Sequence, residues 1–351
     1  MERVMDWSDV AEAIRWQADH AAKNGAPCTA RVVRAQLALL ESDTETGRRL
    51  ATWPGKPLED ALPLRLAGGF HHLVLSGTDT RLAEVYRGEL TDQNAVDALI
   101  LELTHRYDAA LLPWLDGPPQ TNEAGRSASI MAALLWLSPR MGARFEMNEL
   151  GASAGVNTMM DRYHYDLGGT EVGPPDSPMR IKPEWRGPAP QSAPVEITAI
   201  QGCDRAPVNL ADPASALRLK SYVWAEVTER LARIDAAIQL AGEQPPHLTH
   251  MDAGDWVDQR LAAPLQEGTT RVFYHSIVWQ YLPPETRARI TKAITAAGEA
   301  GQRLAWIMLE TNRETFRHEL SVRHWPGGGG EPALLGEAHA HGAWVAWHGK
   351  V

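Results

Sequence analysis

The chain has 351 residues, enough for a large core and for two structural units rather than one. Its 34 Lys and Arg stand against 44 Asp and Glu, a formal net charge of -10, so no overall field attracts a phosphate backbone and a nucleic-acid partner is not expected. Cys28 and Cys203 lie far apart without C-x-x-C spacing, the start MERVMDWSDVAEAIRW puts acidic residues where a signal peptide has a basic flank, and no apolar run approaches the roughly 18–20 residues of a membrane span. A cytoplasmic protein with free thiols and no membrane partner is expected.

Residues 1–140 read as a helical domain. Ser8 is placed to cap a helix that turns Val10, Ile14 and Ala18 inward and stops at Asn24-Gly25. Thr29 is placed to cap the next, with Val32, Val33, Leu37 and Leu40 on its apolar side. The clearest helical period is Val96, Leu99, Ile100, Leu103, Tyr107 and Leu111, one stripe along about four turns. Another helix is predicted through RSASIMAALLWL, ending near Ser138-Pro139.

From Ala143 the rhythm changes, and residues 141–351 read as an α/β domain. ARFEMNEL, VEITAIQG, HLTHMDA, RVFYHSIV and RLAWIMLE are short β-rich runs, several of them separated by amphipathic stretches such as ALRLKSYVWAEVTERLARIDAAIQLA. That alternation predicts βαβ units and a mostly parallel sheet. ELSVRHW, a turn at Pro326–Gly330 and ALLGEAHAHGAWVAWH predict an antiparallel hairpin at the sheet edge. The Pro- and Gly-rich stretch 166–194 reads as an excursion between the first two strands, with MRIKPEW its one strand-like run.

The segment ELGASAGVN, Glu149 to Asn157, supports two readings. Gly151-Ala152-Ser153-Ala154-Gly155 fits the G-x-S-x-G elbow of a serine hydrolase, for which Asp252, Asp255 or Glu310 and then His339 or His341 follow in triad order. That reading also needs sheet before the elbow and an oxyanion loop, and the helical N-terminal half offers neither; Gly68-Gly-Phe-His-His72 lies within a helix in the wrong order. The second reading is a nucleotide-type cradle at the carboxyl end of the first parallel strand. There Gly151 gives close backbone approach, Gly155 packs the helix on the strand, helix-terminal N–H groups face an anionic group, and Ser153 caps a helix through VNTMMDRY.

ELGASAGVN resembles the first motif of the Rossmann-like, S-adenosylmethionine-dependent methyltransferases. More narrowly, QTNEAGRSA, NELGASAGVNTMMDRYHYDLGG, QGCDRAPVNL, FYHSIVWQYLP and HAHGAWVAW resemble a bacterial family known only as a domain of unknown function, over most of the chain. The resemblance implies a Rossmann-like methyltransferase sheet behind an N-terminal helical domain that covers the acceptor site, with S-adenosylmethionine as cofactor and a small-molecule substrate. It implies cofactor contacts at Glu149, Gly151, Ala152, Ser153, Gly155 and Asn157, with Ser153 departing from the usual glycine. Asp204, after VEITAIQGC, takes the place of the ribose-binding acid, while Asp161 and Asp166 are nearer in sequence but expected in the first helix and its exit. Asp252 and Ala253 take the place of the adenine contacts, with Trp256 against the ring.

His275 in FYHSIVWQYLPP has the chemistry of a base for an acceptor that must lose a proton, beside its alternative as a structural histidine. Trp279 and Tyr281 follow it as substrate-binding candidates, and Gln280-Tyr-Leu-Pro-Pro284 lacks the order of the amine-methylating motif. Glu123 is a second catalytic candidate, and Asn122 and Arg126 are substrate-side candidates, Arg126 pairing with a carboxylate; the alternative is helix initiation with Thr121 or Asn122 as cap. His339 with His341, and His247, His250 with Asp252, have metal-like spacing but no complete ligand set, so no metal is expected. A non-catalytic binding protein on the same fold, a serine hydrolase using Ser153 and an NAD-dependent oxidoreductase are the competing functions, and the oligomeric state is left open.

Overall fold

The computed structural model describes residues 9–120 and 122–349, so Ser8 and Thr121, two of the expected helix caps, lie outside the described residues. The chain divides into two compact units, Met1–Thr121 with Asp212–Ala232, and Asn122–Ala211 with Arg233–Val351. The sequence boundary at 140 and this division differ in two segments: 122–140 belongs with the sheet, and Asp212–Ala232 returns to the helices.

In the first unit α1 spans Val10–Lys23 and buries Ile14 and Ala18, with Asp9 as its cap and Asn24 at its end. Helix α2, Pro27–Ala35, starts on a proline, whose missing N–H costs nothing in the first turn. Thr29 therefore lies inside α2 rather than capping it, and its hydroxyl donates to Glu226. Helices α3 (Glu45–Ala51), α4 (Leu62–Leu75), α5 (Ala83–Tyr86) and α6 (Gln93–Leu111) follow. The predicted stripe on α6 buries Val96, Ile100, Leu103 and Leu111, with a break in helical geometry at Tyr107. These side chains share one core with Val33, Leu66 and Phe70.

The second unit opens with α7, Ser127–Met141, which runs through Pro139 instead of stopping there and ends at Gly142 in a left-handed conformation. Then come β1 (Arg144–Leu150), β2 (His164–Leu167), β3 (Thr170–Val172), β4 (Arg180–Ile181), β5 (Glu184–Arg186) and β6 (Glu196–Asp204). Helix α8 (Pro213–Ser221) belongs to the first unit, where it packs on α4, and α9 (Thr228–Glu243) leads back. The remainder is β7 (Leu248–His250), α10 (Ala253–Ala262), β8 (Thr269–Ser276), α11 (Pro284–Glu299), β9 (Leu304–Thr311), β10 (His318–Trp325), β11 (Ala333–Ala338) and β12 (Trp344–Trp347).

Nine strands form one sheet in the order β5-β12-β11-β10-β9-β8-β1-β6-β7. The run β7-β6-β1-β8-β9 is parallel throughout, with β10, β11 and β12 antiparallel beyond it. The chain works outward from β1 to β7, then crosses back to β8 and β9 on the other side of β1. The switch point, where open α/β sheets bind ligands, therefore lies at the carboxyl ends of β1 and β8. On one face Phe273, Trp306 and Leu304 join Trp256 and Val257 of α10 and Ile290 and Ile294 of α11 in a second core.

The expected edge hairpin is larger than predicted, because ALLGEAHAHGAWVAWH breaks into two strands at the turn His339–Gly342 and β5 adds beyond β12. MRIKPEW splits at Pro183 into β4 and β5, so the excursion supplies both a strand of the large sheet and the small sheet β3-β2-β4. The helix expected through VNTMMDRY is only a 3-10 helix over Asn157–Arg162, after which Tyr163 and Tyr165 bury with the alternation of a strand.

Candidate functional site

Glu149 stands near the carboxyl end of β1, opposite Tyr274 of β8 and Gly202 of β6, and is 2% exposed. Burial pushes its carboxyl up to about 8, against the opposing influence of Asn157, the Arg126 charge and the Tyr274 hydroxyl. The Tyr274 hydroxyl lies 3.5 Å from Glu149 Oε2 and 3.2 Å from the Asn157 carbonyl, and with one proton it donates to one of them at a time. The Asn157 side chain lies beside the Glu149 carboxyl and lowers it by hydrogen bonding, while neither of its polar atoms makes a well-aligned hydrogen bond within the chain.

The turn after β1 is shaped by three left-handed residues, Gly151, Ser153 and Gly155, at φ 67°, 53° and 70°. Its amides are engaged by the protein itself. Ala152 N–H donates to Cys203 O at 2.9 Å, Ser153 N–H to Asp204 Oδ2 at 2.8 Å, Gly155 N–H to Ala152 O at 2.8 Å, and Val156 N–H to Asn122 Oδ1 at 2.8 Å. The expected free cradle of amides at the start of an α-helix is corrected on this point, and so is the cap: Val156, not Ser153, precedes the 3-10 helix. The glycines make room for side chains, since a Cβ at Gly151 would meet Val278 at 2.3 Å and one at Gly155 would meet Pro246 at 2.8 Å. Ala152 is fully buried, and the Ser153 hydroxyl is buried without a partner.

His275 is the next-to-last residue of β8, 1% exposed, with Nδ1 at 2.6 Å from Glu310 Oε1 on β9. Glu310 also accepts from Val278 N–H at 3.1 Å. The imidazole stacks on Trp279 with ring centres 4.9 Å apart and 11° between planes, and its Nε2 has no partner. A carboxylate on Nδ1 favours the tautomer that leaves a lone pair on Nε2. Between them Ile277 holds φ 52°, a conformation that costs a β-branched residue roughly 1–3 kcal/mol unless its surroundings enforce it. Here Ile277 N–H donates to Leu309 O at 2.9 Å, and the neighbouring Ser276 carbonyl accepts from Arg126 Nη1 at 3.2 Å.

Arg126 also donates from Nε to Ala340 O at 2.8 Å, so it ties the exit of β8 to the turn between β11 and β12 while its charge reaches Glu149. Asn122 braces the glycine-rich turn through Val156. Glu123 is buried in an ion pair with Arg233 at 2.8 Å and accepts from Gly125 N–H. Asp204 uses one oxygen for Ser153 N–H and the other for Ala206 N–H. Around Glu149 and its turn the structure thus brings together Asn122, Arg126, Ser153, Asn157 and Asp204.

The remaining candidates are placed differently. Asp252 caps α10 by accepting from Gly254 N–H at 2.8 Å, Ala253 is buried behind it, and Trp256 belongs to the apolar core. Trp279 is half-buried against His275, whereas Tyr281 is 74% exposed. Asp161 falls in the 3-10 helix as expected of the first helix, and Asp166 pairs with Lys182. His339 and His341 occupy the turn between β11 and β12, and among the described residues no group of three His, Cys, Asp or Glu is placed to hold a metal ion.

Sequence reasoning gave no site role to Tyr274 or Arg233 and took Glu310 only as a hydrolase acid. The available signal for Glu310 was an acidic residue near the carboxyl end of a β-rich run; it is next to last on β9, as Glu149 is on β1. No curated protein and no solved structure matches the chain. The chain belongs to the family described as an uncharacterized protein conserved in bacteria (DUF2332), whose model matches residues 11–347.

Proposed function

We propose that the chain binds S-adenosylmethionine at the carboxyl ends of β1, β6 and β8 and transfers its methyl group to a small-molecule acceptor. The observation that carries this reading is a set of buried polar atoms without partners at that edge: both side-chain atoms of Asn157, Ser153 Oγ and His275 Nε2. An unpaired buried polar group costs about 1–3 kcal/mol, so a polar ligand that meets several of them gains specificity there. The acidic residues support it too, with Glu149, Asp204 and Asp252 at or just past the ends of three adjacent strands.

The donor set fits this cofactor better than a dinucleotide. A pyrophosphate needs free backbone amides, and four amides of the turn are already bonded to protein acceptors. S-adenosylmethionine has no phosphate; its amino acid end, ribose hydroxyls and adenine are recognised by side chains. In this reading Asn157, Glu149 and Arg126 hold the amino acid end and the outer lone pairs of Asp204 take the ribose hydroxyls. The bound cofactor supplies an electrophilic methyl group. His275 Nε2 holds the proton that a hydroxyl acceptor gives up, with Glu310 fixing the ring, and Trp279 keeps water from that nitrogen.

Asn157→Ala gives the cleanest test, because it removes two buried polar atoms from that edge and disturbs only the interaction with Glu149 in the folded protein. Thermal unfolding should shift upward with S-adenosylmethionine or its demethylated product and not with NAD. The variant should keep its own midpoint within a degree or two and lose the ligand-induced shift. Equal shifts in variant and wild type would contradict the assignment of this edge. A bulky residue at Gly151 is a poor probe, since it collides with Val278 whether or not a ligand binds.

One observation favours a second reading. Ser153 is left-handed on its turn, as a hydrolase nucleophile is, and His275 with Glu310 would provide base and acid. Against it, Ser153 Oγ and His275 Nε2 make no hydrogen bond to each other, and the turn enters a six-residue 3-10 helix. Covalent labelling of Ser153 by a fluorophosphonate would favour the hydrolase, and a lack of labelling would retire it.

A further inference from the structure

Strand β6 is nine residues long, but its outer neighbour β7 pairs only with Gly202, Cys203 and Asp204. The reason is in the sequence before β7. Pro245 and Pro246 precede His247, and prolines have no N–H to donate to a ladder, so pairing begins only where His247 O accepts from Gly202 N–H at 2.9 Å. Residues Ile197–Gln201 are left with β1 on one side and no strand on the other among the described residues. Strand alternation turns the N–H and C=O of Ile200 to the same side as those of Gly202, toward this open edge.

The opposite edge of the sheet is guarded. Strand β5 there is three residues long, carries the Glu184–Arg186 ion pair at 2.9 Å, and is flanked by Pro183 and Pro188. Ile197-Thr-Ala-Ile-Gln201 has neither charge nor proline, and the open edge borders a groove of about 700 Å³ lined by Asp161, Ile197, Ala199, Gln244, Pro246 and His247.

We propose that this edge and its groove bind an extended peptide segment of a partner protein by strand addition. Main-chain bonds to the outward groups of β6 would give affinity, and the groove would take alternate side chains of the peptide. Size selects the occupant. A five-residue edge is about 17 Å long, short for the roughly 1,200 Å² that a stable dimer buries, so one short extended segment fits it better than a second copy of the chain. The absence of charge along Ile197–Gln201 fits a neutral segment with small or apolar residues.

The test starts from the full chain and a displayed library of random linear dodecapeptides. Selected peptides should bind the wild type, and hydrogen exchange should show the Ile200 amide fast in the free protein and protected in the complex. Ile200→Pro removes the outward donor without touching the β1 ladder, and Ala199→Lys places charge and bulk in the groove as a second variant should the first fail to fold. Each should weaken peptide binding about tenfold or more at an unchanged unfolding midpoint. The proposal is overturned if no peptide is selected, if peptides bind both variants as they bind the wild type, or if the Ile200 amide is already protected in the free chain. A dimer that Ala199→Lys dissociates would also overturn it, in favour of a second copy.

Discussion

Glu149 is the residue on which the functional reading turns, and its burial makes a prediction of its own. Its folded value of about 8 lies above the ordinary 4.5, so the protonated form is favoured by folding. The sign follows from linkage: its contribution is fully present below about pH 4.5 and is lost as the pH rises toward 8. Glu149→Gln, which mimics the protonated carboxyl, should match the wild type in urea unfolding near pH 4. Above that the variant should become the more stable by up to about 1.4 kcal/mol per pH unit, levelling off above pH 8. A stability difference independent of pH would show that Glu149 ionises freely. Gly151 makes a second prediction. With φ at 67° and Val278 only 2.3 Å from where a methyl carbon would stand, Gly151→Ala should cost about 2–4 kcal/mol. Val278→Ala in the same chain should recover the steric part but not the part owed to φ. Glu149, Ser153, Asn157 and Asp204 were legible because a local motif or a strand end marks them. Tyr274 and Glu310 were not, because their roles come from the register of β8 against β1 and β9, which no local spacing encodes.

At the scale of elements, the parallel strands were legible from their length and apolar content, and the fully buried RVFYH run of β8 is the clearest case. The helix after the first strand was misread because Val156, Met159, Met160 and Tyr163 have helical spacing, while Tyr163 and Tyr165 have strand spacing and both are fully buried. Burying two tyrosines on a strand prevails over continuing one turn of helix. In the helical unit the expected cap Thr29 was misplaced for a related reason: Pro27 sets the start of α2, and Glu226, distant in sequence, satisfies its first amides. Glu226 accepts from Cys28 N–H at 2.5 Å, Thr29 N–H at 2.8 Å and Thr29 Oγ1 at 2.6 Å. Glu226→Ala should therefore destabilise the helical unit by about 1–3 kcal/mol, measured by chemical denaturation. A cost under about 0.5 kcal/mol, typical of a surface site, would contradict that account.

At the scale of the whole molecule, the helical unit is discontinuous in sequence, with α8 returning from residue 213 to pack on α4. A boundary read at 140 could not show this, because ALRLKSYVWAEVTERLARIDAAIQLA has the same amphipathic rhythm whichever unit it joins. A fragment ending at residue 121 should unfold at lower temperature than the same fragment carrying Asp212–Ala232 on a flexible linker, and equal midpoints would argue that α8 adds nothing to that core. The proposed cofactor site lies in the other unit, at its switch point. Its most direct test is calorimetric titration of the full chain with the demethylated product of S-adenosylmethionine, with folding confirmed by circular dichroism. A single site with a dissociation constant of roughly 1–100 μM, lost in Asn157→Ala, is the predicted result. The absence of binding by folded protein at about 1 mM ligand would contradict it.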